Sequence, residues 1–451
     1  MILDQNMENK MGTEKISRLL LTTGIPLMLS LLINSLYNFV DSVFVARIGE
    51  DALTALSISA PVQIFVSALG LGNAVGLNAA VSKALGEKNT DKVKKIASAA
   101  IFIAFCEWIL IVLVCVLGIR RYFLWQSGGN EDIAAYGRDY LSICMLFSLG
   151  QMGQWVFDRF VISSGKSNLF LFTLSAASVT NLILDPVFIF LFGMGTKGAA
   201  IATVIGQFVG MIAGIYINRR WNKEIPFAFT WKPDKESVWT ILRVGMPSTL
   251  VQVLTGFVSV AMNTILLTFS GAAVAVFGVC TRMQGICTVG VHGINNGLIP
   301  IVAYNYGAKK GERIRQAIRW TNVYAFLFYI PFLAALEIVP GLVMRLFNAS
   351  EGMMIIGESA VRLMAVAWLI SIPNLVVSAA LQGLSMARES MILTMLRQAI
   401  LPVIFAFFVK NTGQVIWIWS VFSVSEILCV PMAIGVWKRS FQSVIHRAQN
   451  M

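Results

Sequence analysis

Long apolar runs, each ended by a short polar stretch, set the pattern of this chain. A bilayer core about 30 Å thick takes about 20 mostly apolar residues in helix. Twelve windows reach that length, at about 19–47, 53–82, 93–119, 134–157, 168–193, 196–218, 238–269, 272–304, 317–347, 354–384, 389–410 and 413–437. The pattern predicts an all-α polytopic membrane protein with twelve transmembrane helices, the longest of them tilted or kinked. The apolar run after the first 18 residues is too long for a cleaved leader, so no signal peptide is expected.

The windows repeat. At an offset of 221 residues Gly24-Ile25-Pro26 matches Gly245-Met246-Pro247, Gln63 matches Gln284, and Gly72, Gly76 and Gly86 match Gly293, Gly297 and Gly307. Six windows per half is an even number, so the second half enters the membrane from the same side and the repeat is parallel. The expected organisation is an N-terminal six-helix bundle over 1–218, a linker over 219–236 interrupted by Pro226 and Pro233, a second pseudo-symmetric bundle over 237–437 and a tail over 438–451. A central cavity is expected between the two bundles.

Composition agrees with a membrane chain. Hydrophobic residues make up 57% and charged residues 13%, with a mean hydropathy of +0.74; a soluble chain carries about 25% charged residues, so a soluble enzyme is excluded. The net charge of +12 comes from the loops. With the N-terminus inside, the inner segments hold 26 Lys and Arg and the outer ones 7, which puts both termini in the cytosol. The charge is thus a topology signal, and no nucleic-acid partner is implied. Six cysteines lie within apolar stretches without a CxxC pair, so neither disulfides nor a zinc site follow.

Ionisable groups at membrane depth are expensive and mark function by default. In the first window Asn34, Asn38 and Asp41 share one helical face, with Tyr37 beside it. In the fifth, Asn181 and Asp185 are four apart, and Pro186 frees the carbonyl of Leu182 from its helical donor. Counted from the outer ends, Asp41, Asp185 and Thr203 each lie roughly 9–12 Å deep at 1.5 Å per residue, so they can meet. Two carboxylates, an amide, a hydroxyl and a loosened carbonyl suit a proton or a hard cation such as sodium. If sodium is the ion, its metal ligands come from Asp41, Asn181, Asp185 and Thr203. Such groups also glue helices together, yet the repeat places Met262 opposite Asp41 and Phe405 opposite Asp185, so the acids belong to one half only.

Other positions are open to two readings. Glu107 and Glu426 either line a cavity or pair with Arg282, Arg362 or Arg397, while Asp158 and Arg159 are expected to pair with each other. Gln252 and Gln382 face a cavity or pack helices, and the 20 methionines suit an adaptable pocket or act as filler. Asn34, Gln252, Met262, Gln382 and Glu426 are the substrate-cavity candidates. No HExxH site, Walker A loop or repeated selectivity loop is present, so neither an intramembrane protease, an ATPase nor a channel is indicated. The chain is expected to be a transporter rather than an enzyme, with no cofactor.

Five segments resemble the multidrug and toxic compound extrusion (MATE) family. They are Tyr37-Asn38-Phe39-Val40-Asp41 with Gly49 and Ala52 downstream; Leu85-Gly86-Glu87; Asn181 to Pro186; Gly198-Ala199-Ala200-Ile201-Ala202-Thr203; and Tyr304-Asn305-Tyr306-Gly307-Ala308. The first-half carboxylate pair is similar to the DinF-like branch. Ile162-Ser163-Ser164-Gly165 stand where the family often carries Gln in its fourth helix. The resemblance implies two bundles around a V-shaped cavity and export of amphipathic, cationic compounds in exchange for protons or sodium. In that reading Asp41, Asn181, Asp185 and Thr203 form the cation site, with helix bending at Pro26. The chain is expected to be a monomer in a bacterial inner membrane, with the lipid bilayer and small amphipathic molecules as its partners. A lipid-linked saccharide flippase of the same superfamily is the alternative, and a receptor or scaffold the second.

Overall fold

The structure is a computed structural model describing residues 10–48, 50–126, 131–226, 230–347 and 349–449. Within its helices the side chains of 36–40, 42, 43, 46, 50, 51, 53, 54, 57 and 440–449 lie outside the description, so it does not describe the side chains of Tyr37 and Asn38, nor Gly49.

The described residues form helices and the turns between them. In order these are α1 (Lys10–Thr13), α2 (Ile16–Ala46), α3 (Glu50–Gly86), α4 (Thr90–Gln126), α5 (Glu131–Leu146), α6 (Leu149–Ser163), α7 (Ser167–Pro186) and α8 (Gly195–Trp221). The second half holds α9 (Lys235–Leu267), α10 (Gly271–Cys287), α11 (Val289–Gly307), α12 (Gly311–Ile338), α13 (Pro340–Leu346), α14 (Glu351–Gly383), α15 (Ala387–Met395), α16 (Leu401–Val409) and α17 (Ile416–Gln449). Among the described residues ten helical stretches are long and apolar enough to cross a membrane, or eleven if α10 and α11, bent by 50° at their junction, count as one. The remaining expected window, 134–157, is split between α5 and α6, helices of 16 and 15 residues. The split leaves each piece short of a span by itself.

By contacts the described chain falls into two units. Unit 1 takes in Leu29–Thr249 with the chain up to Thr13, and unit 2 takes in Glu14–Met28 and the chain from Leu250. These limits fall inside α2 and α9, whereas the sequence reading put its boundary in the 219–236 linker. The repeated glycines account for the difference. In unit 2 a Cβ on Gly293 of α11 would lie 2.6 Å from Met28 Cα, and one on Gly24 would lie 3.2 Å from Ile294 Cα. In unit 1 a Cβ on Gly72 would lie 3.1 Å from the carbonyl oxygen of Gly245, and one on Gly76 would run into the backbone of Ile241. The first half of α2 thus crosses α11 at backbone contact, and the first half of α9 crosses α3 in the same way, because no side chain stands between them.

Each unit has its own apolar core. That of unit 1 includes Leu77, Val81, Ile96, Ile111, Phe123 and Ile241, and that of unit 2 Leu19, Leu20, Met262, Tyr329, Trp368 and Trp419. Met262, expected in a cavity, is fully buried in that second core; its match to Asp41 in the repeat fixes its place in the helix, not its surroundings. At the start of α9 Asp234 accepts the Ser237 backbone N–H at 2.9 Å and its hydroxyl at 2.7 Å. These bonds hold the Asp234 carboxyl below the usual carboxylate range and cap the helix.

Candidate functional site

The carboxyl-bearing site is built by α2, α7 and α8 of unit 1. Asn181 and Asp185, one turn apart, project from the same face of α7, and Asn181 Nδ2 donates to Asp185 Oδ1 and to Thr203 Oγ1, both at 3.2 Å. The approach of α8 depends on Gly206, whose Cβ would lie 2.8 Å from Ala177 O and 3.2 Å from Asn181 Cβ. After Pro186 the helix continues as a π-helical turn, Val187–Leu191, closed by Phe192 N–H donating to Val187 O at 2.9 Å. Pro186 removes one donor there, and π-turns are frequent beside functional groups.

Asp41 of α2 completes the group. It is 8% exposed, Asn181 2%, Asp185 0% and Thr203 8%, so the four side chains expected to meet do meet, in a buried place. The Asp41 and Asp185 carboxyls are within hydrogen-bonding reach of each other. Two ionised carboxylates are acceptors only, so this contact requires a proton on one of them or a cation between them. The oxygen Oδ1 of Asn181 is buried without a donor among the described residues.

A cavity of about 520 Å³ opens beside the acids. Asn34, Asp41, Asn181 and Thr203 line it, together with residues the sequence reading did not single out, notably Tyr140 and Cys144 of α5, Gln151, Gln154 and Trp155 of α6 and Gln207 of α8. The fourth window therefore does supply glutamines, about three turns before the 162–165 segment on the same helix, α6. The available signal was the polar pair Gln151 and Gln154, three residues apart on one face of an apolar window.

The remaining candidates lie apart from this cavity. Pro26 sits inside α2, which stays helical through it. In unit 2 Gln252 is exposed on α9, and Gln382 donates to Ser390 Oγ at 3.3 Å. Glu426 of α17 forms an ion pair with Arg397 at 2.6 Å and accepts Asn374 Nδ2 at 2.7 Å; Arg397 lies on the π-helical turn Leu396–Ile400 between α15 and α16. Of the three arginines weighed for Glu426, Arg397 is the partner. Glu107 of α4 accepts Asn73 Nδ2 at 3.4 Å. Asp158 accepts Thr173 Oγ1 at 2.6 Å, and Arg159, the next residue on α6, acts on it through its charge.

The MatE family model matches the chain twice, over residues 26–187 and 247–408, two stretches displaced by the 221 residues of the internal repeat. The multidrug export protein MepA of Staphylococcus aureus (strain NCTC 8325 / PS 47) is 24% identical over 412 residues, 90% of each chain. Among solved structures, the outward-facing conformation of a multidrug resistance MATE family transporter of the MOP superfamily aligns with a TM-score of 0.90 at 21% identity, covering 97% of this chain and 98% of the other. A MATE in the bent conformation aligns with a TM-score of 0.91 at 21% identity, covering 98% of both.

Proposed function

The chain belongs to the MatE family of membrane transporters, and from that premise we propose that it is a cation-coupled antiporter exporting amphipathic, cationic drugs and toxic metabolites by alternating access. The observation that carries the reading is the shared pocket: Asp41, with Asp185 behind it, lines a cavity of about 520 Å³ walled by amides and aromatics, within the 300–1,000 Å³ range of drug-sized sites. Similarity to a multidrug export protein supports the substrate class. The coupling ion is a proton or sodium, held by Asp41, Asn181, Asp185 and Thr203, with Tyr37 and Asn38 on the same stretch of α2.

Coupling follows from charge. With the pair singly or doubly ionised, the cavity attracts a cation; when protons or sodium neutralise it, that attraction falls and the substrate leaves. The two ligands act against each other only because each binds one state better. We also propose that α2 bends at Pro26, that the protein works as a monomer in a bacterial inner membrane, and that both termini are cytosolic.

Binding of a fluorescent cationic substrate, titrated against pH without sodium and against sodium at alkaline pH, tests the site. Affinity is expected to fall as one of these ions is added, and the effect to vanish in Asp41→Asn and Asp185→Asn. Insensitivity to both ions would refute the proposal, as would undiminished efflux by Asp41→Asn in cells.

A further inference from the structure

Gln154 and Leu174 line the cavity of unit 1, and one turn beyond Gln154 on α6 lies a carboxyl that the exchange reaction has not used. Asp158 is 2% exposed. Its Oδ1 accepts Thr173 Oγ1 of α7 at 2.6 Å, while its Oδ2 is buried without a hydrogen-bond partner among the described residues. Gln154 reaches it from the cavity wall. Gly210 of α8 provides the space for that amide, since a Cβ there would lie 2.5 Å from Gln154 Cδ and 2.7 Å from its Nε2 and Oε1. Arg159, the next residue on α6, is the charged group acting on Asp158, and Thr173 and Gln154 are its polar neighbours.

Past Asp158 the bundle stays polar. Ser163 Oγ donates to Asn78 Oδ1 at 3.0 Å, and Ser82 Oγ donates to the Ser163 carbonyl at 3.2 Å. The turn that follows ends at Lys166, which pairs with Glu224 at 3.4 Å. A carboxylate oxygen left unpaired in an apolar bundle is costly, and intramembrane acids of this kind mark proton paths. Asp185 and Thr173 both lie on α7, twelve residues and so roughly 18 Å apart along the helix. A proton leaving the carboxyl pair therefore needs a second holder before it reaches the turn.

We propose that Asp158 is that holder: it takes the proton released by the Asp41–Asp185 pair through the cavity and passes it to the turn at 163–166. The proposal rests on the proton form of the function given above. In the transfer an O–H bond of the pair breaks and one forms at Asp158 Oδ2, with cavity water and Gln154 in between. One carboxylate appears at the pair as one disappears at Asp158; no electrons change hands. Release at the turn restores the Asp158 carboxylate.

Asp158→Asn keeps the shape and the acceptor for Thr173 but cannot carry the proton. In proteoliposomes under an imposed pH gradient its transport is expected to slow roughly 100-fold, the low end for a positioned proton-transfer group. Equilibrium substrate binding and its pH dependence should stay as in the wild type, because Asp41 and Asp185 set them. Thr173→Val, which removes the bond and keeps the acid, should transport far faster than Asp158→Asn. Wild-type transport by Asp158→Asn would overturn the proposal, and so would equal loss in both variants, which would assign Asp158 to helix packing. A second measurement does not depend on how Asp158→Asn folds: infrared pH-difference spectra of protein carrying isotope-labelled aspartate, in the Asp41→Asn/Asp185→Asn background. A buried aspartic acid band that titrates is expected, and its absence overturns the proposal. Loss of pH-dependent binding in the wild type would instead sink the proton-coupled reading itself.

Discussion

Replacing Gly293 by alanine tests whether the α2–α11 crossing is set by backbone contact. The added Cβ would lie 2.6 Å from Met28 Cα and 2.7 Å from Met28 N and Cβ, against about 3.5–4.0 Å for ordinary carbon contact. The helices must part by about 1 Å, and no rotamer change helps, because two of the three atoms met are backbone. Overpacking of this kind costs about 1–3 kcal/mol. Alanine also gains about 1 kcal/mol in helix propensity over glycine, so the informative comparison is with Gly256→Ala on α9, where the new Cβ meets nothing within 4 Å. Both variants share the propensity gain, and the difference between them is the clash. Thermal unfolding in detergent, followed by size-exclusion fluorescence, should place Gly293→Ala below Gly256→Ala by about 2–4 °C for each kcal/mol. Equal melting of the two would refute the account of the crossing. In unit 1, Gly72→Ala should cost less, because the nearest atom met is the rotatable Thr249 hydroxyl.

Three further outcomes are expected. A cysteine at Lys232 should resist a membrane-impermeant reagent added outside intact cells, whereas one at the exposed Asn411 should react; the reverse pattern would invert the topology. Asp234→Ala should cost about 1 kcal/mol, the usual value of a helix N-cap. Because the folded-state carboxyl is held below its usual range, the cap's contribution is full above the unfolded value and is lost as pH falls through the folded one, which a stability–pH profile of the variant and parent would show. Glu426→Leu should destabilise by about 3–5 kcal/mol by stranding buried Arg397, and adding Arg397→Met should recover most of that loss; a double variant as unstable as the single one would contradict this.

Much of this was legible in the chain because the membrane makes polarity conspicuous. Asp41, Asn181, Asp185 and Thr203 stood out in apolar windows, and counting residues to the outer ends was enough to bring them together. The glycine series was legible as a repeat, but its meaning needed coordinates: Gly24 meets α11 inside unit 2 and Gly245 meets Gly72 inside unit 1, contacts that a linear boundary in the 219–236 linker would have divided. The cavity wall was less legible. Gln151, Gln154 and Trp155 lie where the chain breaks into two short helices, so the periodicity that sorts faces restarts at Ser148. The partner of Glu426 depended on the π-turn at Leu396–Ile400, which shifts the helical register around Arg397 and leaves no mark in the hydrophobic pattern. Met262 lies in the core of unit 2 rather than on a cavity because the repeat copies backbone position without copying polarity.

Neither unit is a continuous length of chain, and this bears on how the molecule is made. Residues 14–28 leave the ribosome ahead of the rest of unit 2, and Gly293 and Gly297, against which they pack, come some 270 residues later. At about 5–20 residues per second, this segment waits roughly 15–50 s for its partner. During that interval Gly24 and its neighbours present a small-residue stripe to lipid or to the insertion machinery. Residues 235–249 complete the first bundle before the second is synthesised, so assembly is sequential for one unit and deferred for the other, and premature termination between Thr249 and α11 releases a finished bundle in which the first part of α2 is orphaned.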